Sequence, residues 1–226
     1  MAIFRNRLGR ILINLVLILI ALPFALMLLY LVVPPISNLM LLRWVTLQPA
    51  HREWVPLSQI SPQLLRAVIV SEDAKFCSHH GVDWDSLQEV VEDADEDGPD
   101  RGASTITMQV VKNTLLWPGR SYIRKGLEIP LALVMDAAWG KRRILEVYLN
   151  VAEWGDGVFG AEAAAQYHFH HSAKNLSAQE AALLATALPN PHKRRAGHPG
   201  PGLESLAGAL QQREATEGAN LSCVRR

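Results

Sequence analysis

From Ile11 to Val33 the chain runs apolar for 23 residues, interrupted only by Asn14 and Pro23. No polar stripe recurs at helical spacing, so the run does not read as one face of a core helix. Crossing a bilayer takes about 20 apolar residues, whereas the core of a cleaved signal peptide has about 7–15. That length, and a Val33-Pro34-Pro35 end where a small-x-small cleavage site would stand, predict an uncleaved transmembrane anchor. Arg5, Arg7 and Arg10 precede the run. Positive residues stay cytoplasmic, so residues 1–10 are expected to form a cytoplasmic tail and 11–33 the anchor, with the rest outside the cytoplasm. Residues 34–56 read as a juxtamembrane linker. Leu39, Leu41, Leu42 and Trp44 within it either dip into the membrane interface or simply end the anchor.

Beyond the linker the periodicity is helical. Ser61-Pro62 supplies an N-cap oxygen and a proline at the first helical position, and Leu64, Leu65, Val68 and Ile69 follow on one face. Ser104 to Leu116 predicts a second helix. Ser121 caps a third, in which Pro130 should produce a kink. Lys141 to Leu149 and Ala161 to Phe169 predict two more. Ser177-Ala178-Gln179-Glu180 is a capping box before an Ala/Leu run that stops at Pro189. No alternating stretch reaches strand length, so the expected fold is mainly α. Residues 57–191 form the expected domain, and 192–226 read as a divergent, loosely ordered tail.

The 22 basic and 22 acidic residues cancel, which excludes a uniformly basic nucleic-acid binder. The cancellation hides a segregation. Residues 1–82 carry +4, 83–100 carry −9, 101–143 carry +6 and 144–226 carry −1. The acidic stretch, closing on Gly98-Pro99, reads as a helix end followed by a mobile loop. Two cysteines, Cys77 and Cys223, are too few for a disulfide framework or a zinc module. They are expected to be free thiols, with a mutual disulfide as the alternative in an oxidising compartment. His168, His170 and His171 lack the paired carboxylate or cysteine that would complete a ligand set, so no metal site is expected.

Two carboxylates stand out. Glu72 lies seven residues after Leu65 and four after Val68, on the apolar face of its helix. It is either a half-buried group with a raised pKa, suited to general-base work, or half of a helix-end ion pair with Lys75. Glu128 follows Arg124 by four residues and Lys125 by three. In isolation that is a surface pair worth a few tenths of a kcal/mol. However, Lys112, Arg120, Arg124 and Lys125 surround this one acid, and such a cluster suits a phosphate-like anion.

The motifs then accumulate. Glu72-Asp73-Ala74-Lys75-Phe76-Cys77-Ser78-His79-His80-Gly81 fits E-D-x-x-F-x-x-H-x-G. Gly102 to Gln109 fits G-x-S-T-I-T-Q-Q except that Met108 replaces the first glutamine, and Lys112-Asn113 follows. Arg124-Lys125-Gly126-Leu127-Glu128 fits R-K-x-x-E, and Lys141 to Asn150 fits K-x-x-I-L-E-x-Y-L-N. The stretches Gly160–Phe169 and Leu176–Pro191 complete the series. In this order the blocks resemble the peptidoglycan glycosyltransferases of glycosyltransferase family 51, in particular its single-anchor, monofunctional members.

The resemblance implies a lysozyme-like helical domain behind one transmembrane helix, on the outer face of the bacterial cytoplasmic membrane. It implies an inverting transfer that polymerises lipid II into β-1,4 glycan and releases undecaprenyl pyrophosphate. It makes Glu72 the general base and Glu128 the second catalytic carboxylate. Lys75, Ser104, Thr105, Gln109, Lys112, Asn113, Arg120, Arg124 and Lys125 become substrate contacts, while Glu146 and Asn150 read as structural. No cofactor is required; a divalent cation, Mg or Mn, is an optional assistant at the pyrophosphate. The partners implied are lipid II, the growing lipid-linked strand, the membrane and other wall-synthesis proteins. Met108 is expected to remove one polar contact from the cleft. Two rivals remain: a membrane-anchored lytic enzyme that cleaves glycan, and a non-catalytic scaffold. The S-x-x-K and K-T-G patterns of transpeptidases are absent from the sequence, so no cross-linking activity is expected.

Overall fold

The structure, a computed structural model, describes residues 7–92, 102–119 and 121–224. The chain forms two compact units, Met1–Pro35 and Ile36–Arg226. In the first, helix α1 spans Arg7–Leu29. Its residues Gly9–Leu29 are long and apolar enough to cross a membrane. Leu15, Leu19 and Leu28 all point outward with at least half their surface exposed. A soluble helix would not leave such a surface uncovered on every side. Pro23 lies inside α1.

The second unit is mainly helical. Its elements are α2 (Asn38–Val45), β1 (His51–Arg52), α3 (Pro62–Glu72), α4 (Trp84–Glu92) and α5 (Ile106–Leu115). They continue with α6 (Tyr122–Val151), β2 (Glu153–Gly155), β3 (Val158–Phe159), α7 (Ala161–Phe169), α8 (Ala178–Ala187) and α9 (Pro201–Thr216). The core is shared by α3, α5, the second half of α6, α7 and α8. Leu64, Val68, Ile69, Ile106, Val110, Ile144, Leu145 and Leu149 are fully buried in it. Buried Ala164, Ala165, Ala182 and Ala185 keep α7 and α8 slim enough to pack closely.

Local signals set most helix starts. The Ser61 hydroxyl accepts from Gln63 N, Thr105 from Met108 N and Ser121 from Arg124 N. Ser177 and Glu180 form the full capping box of α8. In α6 the non-helical residue is Gly140, at φ 71°, rather than Pro130. The helix continues through the proline, and the glycine separates its two halves at the point where Lys141 was expected to open a new helix. Acidic residues 84–92 form α4; residues 93–100 of that stretch lie outside the described residues.

Four expectations need correction. First, 34–56 is not a plain linker. Asn38 at the start of α2 donates to the carbonyls of Lys112 and Leu116 at 2.6 and 2.9 Å, and β1 pairs in parallel with β3. Second, a small sheet exists, in the order β1-β3-β2, built from strands of two or three residues that periodicity cannot reveal. Third, the tail is not loosely ordered. Helix α9 packs on α3 and α8, burying Leu203, Ala207 and Leu210, and Leu221 and Val224 are buried beyond it. Fourth, Cys77 and Cys223 are not free: they form a disulfide across a sequence separation of 146.

That tie joins the loop after Glu72 to the end of the chain. Closing so long a loop restricts the unfolded ensemble, and loss of a native disulfide of this kind typically costs about 2–5 kcal/mol. Cys223→Ser, or a thiol reductant on the wild type, is therefore expected to lower the unfolding midpoint by several degrees. Thermal denaturation of the detergent-solubilised full chain measures it, and an unchanged midpoint would contradict a stabilising tie.

Candidate active site

Glu72 is the last residue of α3 and is half-buried. Its Oε2 accepts from Gln109 Nε2 at 3.0 Å, and Tyr148 Oη donates to Gln109 Oε1 at 3.2 Å. A relay from a buried phenol through an amide thus orients the carboxylate. Burial pushes the Glu72 pKa up; the Gln109 bond and the Lys112 charge pull it partly back. Burial, with the charges of Glu72 and Asp73, holds the Tyr148 hydroxyl well above its ordinary pKa, so it remains a donor.

The neighbouring Asp73 is spent on architecture. Its carboxylate accepts from Ile106 N at 2.9 Å and meets His79 Nε2 at 2.9 Å. Thr105 Oγ1 donates to Gly81 O at 2.6 Å. Gly81 has φ +83°, and an added Cβ would lie 2.5 Å from the Ala132 carbonyl oxygen, so this turn demands glycine. Lys141 pairs with Asp136 at 2.6 Å and sits 4.7 Å over the Phe76 ring. Together these contacts clamp the loop after Glu72 between α5 and α6.

Glu128 lies in the first half of α6 with 2% exposure. One oxygen pairs with Arg124 and the other with Lys125 Nζ at 2.8 Å. This is the i,i+4 pair expected from sequence, yet buried rather than at the surface. Lys125 Nζ also donates to Ser104 Oγ at 2.6 Å. Burial, with the charges of Arg124 and Lys125, lowers the Lys112 pKa; Glu128 and Glu72 both oppose it. Lys112 is therefore the charge through which the two acids feel a common neighbour.

Two adjoining cavities result. One, about 200 Å³, is lined by Glu72, Lys75, Ser104 and Thr105 among others. The other, about 400 Å³, is lined by Ser104, Lys112, Asn113, Arg124, Lys125 and Glu128, with Asn38 and Leu39 from α2. Ser104 belongs to both. The two cavities form one cleft with a carboxylate half and a cationic half; of the other predicted residues, Gln109 lines neither cavity but bonds Glu72, and Arg120 lies outside the described residues.

Several assignments change. Thr105 caps α5 with its side chain and gives its one hydroxyl proton to Gly81, so the buried side chain has no donor left for a substrate. Met108 has 0% exposure and belongs to the core, so the cleft loses no contact there. Lys75 pairs with Asp83 and Asp85 at 3.6 and 3.4 Å, not with Glu72. Glu146 and Asn150 are structural: Glu146 accepts from Leu57 N, and Asn150 exchanges bonds with the Val55 backbone. His168 is held by Trp154 O and Gly197 N, and His171 by Glu180. Sequence reasoning missed Tyr148, whose apolar neighbours make it look like core, and the residues from α2 and α9.

The transglycosylase family model matches residues 39–213. The chain belongs to the transglycosylase family. It is 51% identical to the biosynthetic peptidoglycan transglycosylase of Agrobacterium fabrum over 223 residues, 98% of each chain. It is 56% identical to that of Rhodopseudomonas palustris strain TIE-1 over 203 residues, 89% of this chain and 86% of the relative. With the Rhizobium meliloti protein of the same name it shares 50% over 223 residues, 98% and 94% of the two chains. The family match begins in α2 and ends in α9, so it takes in most of both elements, which the sequence suggested were linker and tail.

For a transglycosylase working through Glu72, the Gln109 amide is the bond that favours the ionised base. Gln109→Leu removes it, so the acid limb of the pH–rate profile is expected to move to higher pH. A limb that stays in place would show that Glu72 is not the group titrating there.

Proposed function

We propose that the chain polymerises lipid II into peptidoglycan glycan strands from a single-pass membrane anchor. The observation that carries the reading is the cleft itself: a half-buried carboxylate with a raised pKa opens beside a separate cradle of three cations around Glu128. A sugar hydroxyl is a poor nucleophile and needs a base, which Glu72 supplies by taking the proton of the acceptor 4-hydroxyl. The oxygen attacks the anomeric carbon of the lipid-linked donor strand, and the bond to undecaprenyl pyrophosphate breaks with inversion from α to β. The leaving group departs as an anion, so fixed cations stabilise its departure and no acid is required. Lys112, Arg124 and Lys125 take that role, with Ser104 and Asn113 as neutral donors. A glycan-cleaving enzyme must instead protonate an alkoxide, and it has no use for this cradle.

Glu128 acts by fixing the cradle. A buried carboxylate holding Arg124 and Lys125 keeps both side chains ordered before the pyrophosphate arrives. The same fact argues against a resident Mg or Mn. Both Glu128 oxygens are already occupied by cations, and the lining described around them is positively charged. We therefore assign no step to a metal. Arg5, Arg7 and Arg10, at the N-terminal end of the apolar run, favour a cytoplasmic N-terminus, with residues 36–226 on the outer side of the membrane. Anchoring then keeps the cleft at the surface that holds its lipid substrate.

Labelled lipid II incubated with the detergent-solubilised chain tests the reading. Wild type is expected to give polymer, and Glu72→Gln to lose about 10²–10⁴ of the rate. Glu128→Gln leaves Arg124 and Lys125 short of their counter-charge, so a large loss is expected there too. Polymer from Glu72→Gln at the wild-type rate would reject the base. Shortening of preformed glycan without use of lipid II would reject polymerisation in favour of lysis.

A further inference from the structure

The Glu72 cavity has a wall contributed by the far end of the chain. Arg213, in the last turn of α9, lines it with Glu72, Lys75 and Ser104. Its Nη2 donates to the Val70 carbonyl at 3.0 Å. Val70 lies two residues before Glu72, in the last turn of α3, whose carbonyls have no helical partner. That bond pins the guanidinium at the cavity edge without consuming it. A guanidinium has five donors, and Arg213 Nε is 4.0 Å from Glu217, a carboxylate that is itself 60% exposed. The Arg213 side chain keeps 48% of its surface open.

Apart from Glu72, the other charges lining the cavity, Asp73, Lys75 and Asp83, are engaged with protein partners. Lys75 faces Asp83 and Asp85, and Asp73 holds His79 and Ile106 N. Arg213 is thus a fixed planar cation with donors to spare, beside the residue that takes the acceptor's proton. Such a fork fits the paired oxygens of a carboxylate or phosphate. Its position is defined from both ends of the segment. Leu203, Ala207 and Leu210 seat α9, and the Cys77–Cys223 disulfide ties the following residues to the loop after Glu72.

We infer that Arg213 is a further substrate-contacting residue, which receives an anionic group of the acceptor, carboxylate or phosphate, while Glu72 engages its hydroxyl. This rests on the transglycosylase reading above. The acceptor must be aligned as well as deprotonated, and the donor cradle on the other side of Ser104 cannot do that. Arg213 gives the acceptor half a second point of attachment.

The test is steady-state polymerisation of lipid II by wild type, Arg213→Ala and Arg213→Lys, each checked for helical content and for an intact disulfide. In Arg213→Ala the KM for lipid II is expected to rise about tenfold or more, with a smaller fall in kcat. Arg213→Lys should recover part of the loss, because it restores charge but not the fork. Repeating the comparison with lipid II whose peptide carboxylates are amidated separates the two sources. A difference between wild type and Arg213→Ala that vanishes assigns a peptide carboxylate; one that persists assigns a phosphate. Equal KM in all three proteins, or a fall in kcat alone, overturns the inference. Should Arg213→Ala not fold, the KM of Arg213→Lys against wild type decides by the same criterion. No polymer from wild type would overturn the functional reading itself, whereas normal wild-type polymerisation with unchanged variants overturns only the role of Arg213.

Discussion

Asp73 is buried, and its carboxylate accepts from the first backbone N–H of α5 while holding the ring of His79. A buried carboxylate must be satisfied on most of its lone pairs, and here the partners come from two different elements. The pairing therefore fixes where α5 starts relative to where α3 stops. Glu72 precedes Asp73 in sequence, and Ser104 and Gln109 flank the start of α5. One polar junction thus turns a helix end and a helix start into the two lips of a cavity. Lys141 over Phe76 and the bond from Thr105 to Gly81 brace the same loop from other sides. Removing one of the supports leaves the rest; removing Asp73 leaves an unpaired helix start in the core.

The two glutamates illustrate how environment divides labour between identical side chains. Glu72 has an amide and a distant lysine for company, so burial dominates and its proton affinity rises. Glu128 is more deeply buried, but it lies between Arg124 and Lys125 and is neutralised in place. The first suits proton transfer and the second suits electrostatic scaffolding. Lys112 feels both acids, so the halves of the cleft are not independent. Binding of an anion beside Lys112 would change the field at Glu72 as well.

Legibility from sequence followed the range of the interaction. Signals confined to one or two turns were readable: the Ser61 and Ser121 caps, the Ser177–Glu180 box and the limits of α7. The residues that line the two cavities fall largely within the sequence motifs, although Thr105 shows the limit of that reading. A hydroxyl in a motif serves the backbone as readily as a substrate, and only burial distinguishes the two. Met108 makes the same point from the other side, since a position next to a cleft residue on a helix faces inward. What stayed hidden depends on distant partners. Nothing local to Cys77 indicates Cys223, and the two-residue strands β1 and β3 exist only because each finds the other. Helix α9 has a weak apolar face, which becomes a seat only once α3 and α8 are assembled beneath it.

The helices that line the cleft share a structural problem. Each ends inside the domain with carbonyls that no helical N–H can reach. For α5 the answer is Asn38, which donates to the carbonyls of Lys112 and Leu116. For α3 it is Arg213, which donates to that of Val70. The two donors come from opposite ends of the second unit, one from its first helix and one from its last. Both also line the cleft: Asn38 the cationic half and Arg213 the half that holds Glu72. The segments that would look dispensable from sequence therefore close the helices that line the cleft and furnish its walls in one act. Trimming the domain to the span of its motifs would expose two helix ends and remove a wall from each cavity.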